Sequence, residues 1–129
     1  MGYTLGKDEK LKSKKAIEQL FAEGYRVKSH PFQLVFLQKE HNAEIPIKVG
    51  FTVPKRTIKL AVNRIRIKRL MREVYRKNKT LFSENLNKKY LFMFIYTANI
   101  EISYIDLDLS IKKVCKKFLN KIQDDEKQI

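Results

Sequence analysis

Tyr90-Leu91-Phe92-Met93-Phe94-Ile95-Tyr96-Thr97 is an almost unbroken apolar and aromatic run, and its reading decides the fold. It is too short for a buried helix to be preferred, and a continuous apolar run of this length makes a central strand with both faces covered. The flanking segments supply the cover. Upstream, Val62 to Asn78 places Ile67, Leu70, Met71 and Val74 within one sector of roughly 100° on a helical wheel, the width of a core-facing stripe. Downstream, Leu107, Ile111, Val114, Cys115, Phe118, Leu119 and Ile122 recur at three- and four-residue steps, with Asp106 and Asp108 near the start, where the helix dipole favours anions.

Toward the N-terminus, Ile45, Ile47, Val49, Phe51 and Val53 alternate with Pro46, Lys48, Gly50 and Thr52, which predicts a half-buried strand. Pro46 lacks an N–H, so full pairing is expected only after it. Phe32 to Leu37 predicts an earlier strand, and His41, Asn42 and Ala43 suit a hairpin loop between the two. Ser13 to Glu23 predicts a short first helix: Ser13 is a good N-cap, Ala16, Ile17, Leu20 and Phe21 are helically spaced, and Gly24 is a natural residue to follow the last turn. The expected order is αββ(β)αβα, the bracket allowing one early strand to be divided. This is a single α+β domain over residues 1–129, a two-layer sandwich whose central sheet is covered by helices, with 1–10 and 123–129 expected to be flexible.

A chain of 129 residues can bury one real core. Its 28 Lys and Arg against 14 acidic residues give a net charge of +14, which favours a polyanionic partner. The first residues lack the pattern of a signal peptide and no span is long enough to cross a bilayer, so a membrane is not the expected partner. Cys115 sits in an apolar helical pattern and reads as a small core residue, consistent with a reducing cytoplasmic setting. His30 and His41 have no Cys, His or carboxylate at ligand spacing nearby, which argues against a protein-built zinc site. No Cys-His or Ser-His arrangement, paired acidic motif or glycine-rich phosphate loop stands out.

The helix over Val62 to Asn78 concentrates the charge. Arg64, Lys68, Arg72, Arg76 and Lys79 line one flank and the outer face, Arg66, Arg69 and Lys77 the other side, and Glu73 is the one acidic residue among them. A solvated helix face usually interleaves Glu at four-residue spacing, each pair contributing a few tenths of a kcal/mol. The absence of that pattern favours phosphate contact, to which the planar, bidentate Arg guanidinium is suited. Lys55, Arg56 and Lys59 form a basic loop leading into this helix.

The run Lys55-Arg56, followed by Ala61-Val62-Asn63-Arg64-Ile65-Arg66-Ile67-Lys68-Arg69-Leu70-Met71-Arg72-Glu73, resembles the signature of the bacterial ribonuclease P protein subunit, whose centre is Arg-Asn-Arg, one residue, then Lys-Arg. The likeness extends to Leu11-Lys12-Ser13-Lys14-Lys15, Phe21, Gly24, Pro31-Phe32 and Val49-Gly50. It implies a ribosomal-protein-like RNA-binding fold and a subunit of a ribonucleoprotein endonuclease that removes the 5′ leader from precursor tRNA. In such an enzyme the RNA subunit is the catalyst and holds most of the Mg2+, so this chain needs no catalytic residue. Partners implied are the catalytic RNA and precursor tRNA, with no obligatory protein partner. Carried over residue by residue, the RNA-binding surface comprises Lys55, Arg56, Arg64, Arg66, Lys68, Arg69 and Arg72, and the cleft for the single-stranded leader includes Phe21 and Phe32, whose rings can stack bases.

Phe21 also lies on the apolar side of its helix, where a core role is open to it. Tyr90, Phe92 and Phe94 are expected in the core. Lys48 and Thr52 point away from the apolar face of their strand, toward a cleft or toward solvent. Ile65 departs from the family pattern: it stands where the family has Asn, in the middle of the basic outer face, and Asn63 is rotated by roughly 200° from it toward the core side. Two other readings are a ribosomal or general RNA-binding protein of similar architecture and a DNA-binding module. The first explains the charge but not the ordered motif, and the second lacks a helix-turn-helix pair or dimer seam.

Overall fold

The computed structural model describes residues 9–41, 44–84 and 86–127. In chain order these form α1 (Lys14–Glu23), β1 (Tyr25–Ser29), β2 (Phe32–Gln38), β3 (Ile47–Thr52), α2 (Ala61–Ser83), β4 (Tyr90–Tyr96) and α3 (Tyr104–Lys127). The four strands make one mixed sheet in the order β1-β2-β4-β3. β2 pairs antiparallel with β1 and with β4, and β3 pairs parallel with β4. The apolar run does form a central strand, buried along nearly its whole length.

Alternation sorts the sheet into two faces. Phe32, Leu34, Phe36, Ile47, Val49, Tyr90, Phe92, Phe94 and Tyr96 point to one side, where α2 and α3 close the main core with Ile67, Met71, Val74, Tyr75, Phe82, Leu107, Ile111, Val114 and Phe118. Phe118 anchors it, standing edge-on to Phe36 and Phe92, each at 4.9 Å between ring centroids. Val35, Leu91 and Met93 point to the other side and meet Leu11 and Leu20 in a smaller cluster under α1. The expected two layers are therefore present, with α1 as additional cover on the opposite face.

Two expectations are corrected, the hairpin and the helix lengths, and the bracketed strand is found. Phe32 to Leu37 and Ile47 to Thr52 are not joined as a hairpin: β4 lies between β2 and β3. Period-2 alternation identifies a strand but says nothing about its neighbour, and the proposed loop residues Asn42 and Ala43 lie outside the described residues. The additional early strand that the bracket allowed is β1, whose core-facing Val27 left little pattern to read. Both later helices are longer than their apolar periodicity indicated. α2 continues to Ser83 because Phe82 is anchored in the core, and α3 continues to Lys127, propagation of an established helix being easy.

Ser13 caps α1 as expected, its hydroxyl accepting from the Ala16 N–H at 3.2 Å. Gly24 is needed for closeness rather than for a left-handed turn. Its φ is −73°, and a Cβ there would lie 2.4 Å from the Leu20 carbonyl and 2.9 Å from Val35 Cγ1. Residues 1–8 and 128–129 lie outside the described residues, whereas Lys10 and Leu11 run beside β3, the Leu11 N–H donating to the Val49 carbonyl at 2.9 Å.

Candidate nucleic-acid interface

The basic loop is held to the start of α2 by backbone and side-chain bonds. Val53 and Ile58 are buried, and the Pro54 carbonyl accepts from the Thr57 and Ile58 N–H groups at 3.2 Å and from the Thr57 hydroxyl at 2.9 Å. This turn leaves Lys55 and Arg56 exposed at its tip. Leu60, at the N-cap position of α2, has no capping side chain. Arg64 stabilises the junction instead, its Nη1 donating to the Ile58 and Lys59 carbonyls at 2.9 and 2.8 Å. Arg64 is thus partly a structural residue that fastens the loop.

Packing of Ile67, Met71 and Val74 against the sheet fixes the rotation of α2 and divides its cations among three directions. Lys68 and Arg72 line a groove of about 360 Å³ together with Lys10, Lys12, Gly50 and Phe51. Arg69 faces outward and is exposed. Arg66 turns toward the segment before α3, where its Nε and Nη2 meet the two carboxylate oxygens of Glu101 at 2.6 and 2.9 Å and Nη2 also donates to Asn63 at 3.0 Å. Further along, Arg76 pairs with Glu73 at 2.6 Å, Lys79 with Glu9 at 3.0 Å, and the Lys77 ammonium sits 5.2 Å from the Tyr104 ring centroid. The first half of α2 consequently carries most of the uncompensated charge.

The ion pairs set the protonation states around this surface. Hydrogen bonds from Arg66 hold the Glu101 carboxyl below its ordinary value, and Arg76 does the same for Glu73. Glu101 in turn raises the Arg66 guanidinium. Cys115 is buried in the core and burial pushes its thiol up to about 11, which makes it a poor nucleophile. Among the described residues no group of three or more His, Cys, Asp or Glu side chains converges as a metal cage would require.

The expected leader residues are not brought together. Phe21 lies in the last turn of α1, 38% exposed, with the Arg26 guanidinium carbon 5.8 Å from its ring centroid. Phe32 is 1% exposed on the opposite side of the sheet, edge-on to Phe94 at 5.9 Å. A ring enclosed this way has no free face for a base, so Phe32 is a core residue. On the α1 side, β2 presents Gln33, β1 presents Arg26 and Lys28, and β3 presents Lys48 and Thr52. Ile65 is 62% exposed in the basic region, as its position on the wheel predicts, and Leu60 and Val62, each 63% exposed, accompany it.

Sequence reasoning missed Glu9 and Glu101, whose partners lie 70 and 35 positions away in the chain. It also missed the groove-lining place of Lys10 and Lys12. Their only local signal was the concentration of Lys just before α1.

The architecture defines a class: a basic α+β protein in which a four-stranded mixed sheet supports a cationic helix beside an open groove. The structure resembles the RNase P protein from Thermotoga maritima, with a TM-score of 0.67 and 19% identity over 84% of this chain and 96% of that one. It also resembles the RNase P protein from Staphylococcus aureus, with a TM-score of 0.63 and 23% identity over 84% and 93%. Those likenesses establish the fold. In sequence, residues 5–120 match the Ribonuclease P family model. The chain is 34% identical to the ribonuclease P protein component of Chlorobaculum tepidum over 107 residues, 75% of this chain and 70% of that one. It is also 34% identical to that of Porphyromonas gingivalis over 91 residues, 70% and 66%. The chain belongs to the ribonuclease P protein component family.

Proposed function

We propose that this chain is the protein subunit of a ribonuclease P ribonucleoprotein, binding the catalytic RNA and the 5′ leader of precursor tRNA and assisting endonucleolytic removal of that leader. The supporting observation is the groove flanked by Lys10, Lys12, Lys68 and Arg72, with Arg69 on the same helix, and Lys55 and Arg56 on the loop before it, all exposed. Cations on three separate segments can follow a phosphate backbone over more of its path than one helix face alone. Arg64 contributes by fastening the loop and Arg66 through the fork it shares with Glu101. Phe21 is kept as a leader contact because it is exposed on the α1 side beside Arg26, the side of the sheet to which Lys28, Lys48 and Thr52 also point.

Catalysis is assigned to the RNA subunit, together with most of the Mg2+, whose chemistry is activation of water and stabilisation of the departing oxygen. The described residues of this chain do not fit a magnesium cage of their own, and no catalytic step is routed through them. They bind RNA, screen charge between two polyanions and orient the leader. No helix among the described residues is long and apolar enough to cross a membrane, and the proposed place of action is the cytoplasm.

The test is a comparison of precursor and mature tRNA binding by the assembled holoenzyme. Tighter binding of the precursor, reduced toward the mature value by Phe21→Ala, is expected. Equal affinity for both would favour a general RNA-binding role.

A further inference from the structure

Arg66 is the one basic residue of the first half of α2 held by a carboxylate among the described residues, and it is held at both prongs. Its Nε lies 2.6 Å from Glu101 Oε1 and its Nη2 2.9 Å from Oε2. These two N–H groups form one of the edges by which a guanidinium can take a phosphate in bidentate contact. The pair is open to solvent, the side chains being 55% and 42% exposed, so an arriving anion can reach it. The carboxylate is presented by a fixed backbone: the Tyr96 hydroxyl donates to the Ile100 carbonyl and accepts from the Ile102 N–H at 3.1 Å, pinning the residues on both sides of Glu101. Tyr96 is itself fully buried.

We infer that Glu101 is an internal competitor that occupies the Arg66 fork in place of an RNA phosphate, attenuates RNA binding there, and is displaced by an RNA whose backbone delivers a phosphate to that point. This rests on the RNA-binding reading above and extends it. An RNA out of register leaves the pair closed and gains nothing from Arg66. An RNA in register exchanges carboxylate for phosphate and releases Glu101 to water. Glu101 therefore lowers affinity for RNA that engages Arg66 by the cost of opening the pair, and leaves RNA that does not reach Arg66 almost unaffected.

A double-mutant cycle on the full chain tests this, measuring binding to the cognate RNA subunit and to an unrelated structured RNA of equal length at one stated salt concentration. Glu101→Gln should tighten binding of the cognate RNA by about two- to fivefold, the scale of an exposed ion pair, and that of the unrelated RNA by less. The preference for cognate RNA then rises. In an Arg66→Gln background the same substitution should have no effect on either RNA. A gain that persists without Arg66 would mean that the carboxylate acts by general repulsion, and weakened binding of both RNAs would mean that the pair merely builds the loop. Either result overturns the inference while leaving RNA binding intact. Absence of cognate RNA binding by the unsubstituted chain overturns the parent reading itself.

Discussion

Replacing Phe32 by Ala would remove a ring that fills the main core between the sheet and the α2–α3 layer. Such truncations cost about 3–5 kcal/mol, so denaturant unfolding should show a large loss of stability. Phe21→Ala, at the exposed end of α1, should change stability by no more than about 1 kcal/mol and act instead on leader discrimination. Comparable destabilisation by the two substitutions would contradict the assignment of one ring to the core and the other to the surface. The two residues were indistinguishable as aromatic motif positions. What separates them is the side of the sheet, which depends on pairing of β2 with β4, Phe32 opposite Tyr96, and so on contacts more than sixty residues away. Ile65 was legible because exposure on a helix follows from local periodicity alone.

At the scale of elements, α2 distributes its cations unequally, and salt dependence of RNA binding should report this. Each phosphate contact contributes about 0.7–0.9 to the slope of log affinity against log salt. Lys68→Gln and Arg72→Gln, which line the groove, should each lower the slope by about that amount, and Arg76→Gln, already paired with Glu73, by less. Equal reductions at all three positions would indicate a diffuse polyanion surface. The apolar stripe that orients this helix was plain in the sequence, as was the apolar run of β4. The parallel partnership of β3 with β4 was not, because strand alternation carries no information about which distant strand completes the ladder. The short β1 was obscured for a different reason, since Arg26 and Lys28 occupy its outward positions and only Val27 marks a core-facing side.

Across the whole molecule, the α2–α3 layer must stay together for the basic face to keep its shape. Asn78, the one buried polar residue among those described, joins the two helices: its Nδ2 donates to the Val74 carbonyl and to Asp108 Oδ1, each at 2.8 Å, while Lys112 pairs with Asp108 at 2.9 Å. The Asn78 and Lys112 hydrogen bonds hold the Asp108 carboxyl below its ordinary value of 3.8. A depressed folded value contributes stability that is present above the unfolded value and lost as pH falls through the folded one. The stability difference between the unsubstituted chain and Asp108→Asn should therefore be full above the ordinary carboxylate range and shrink as the pH falls below 3.8, as followed by denaturant unfolding at a series of pH values. A difference independent of pH would contradict the assigned role of the charge. The fold as a whole was readable in outline from three apolar helical stripes and one apolar strand, but the polar and ionic links that join its parts span 30 to 70 positions and have no local signature. The central claim is that this assembled surface serves a catalytic RNA, and reconstitution tests it most directly: precursor tRNA is incubated at low magnesium with the protein, the cognate RNA subunit, or both, and release of the 5′ leader is measured. The account predicts no cleavage by the protein alone and strong stimulation when it joins the RNA; leader release by the protein alone, or no stimulation of the RNA by a folded protein, would contradict it.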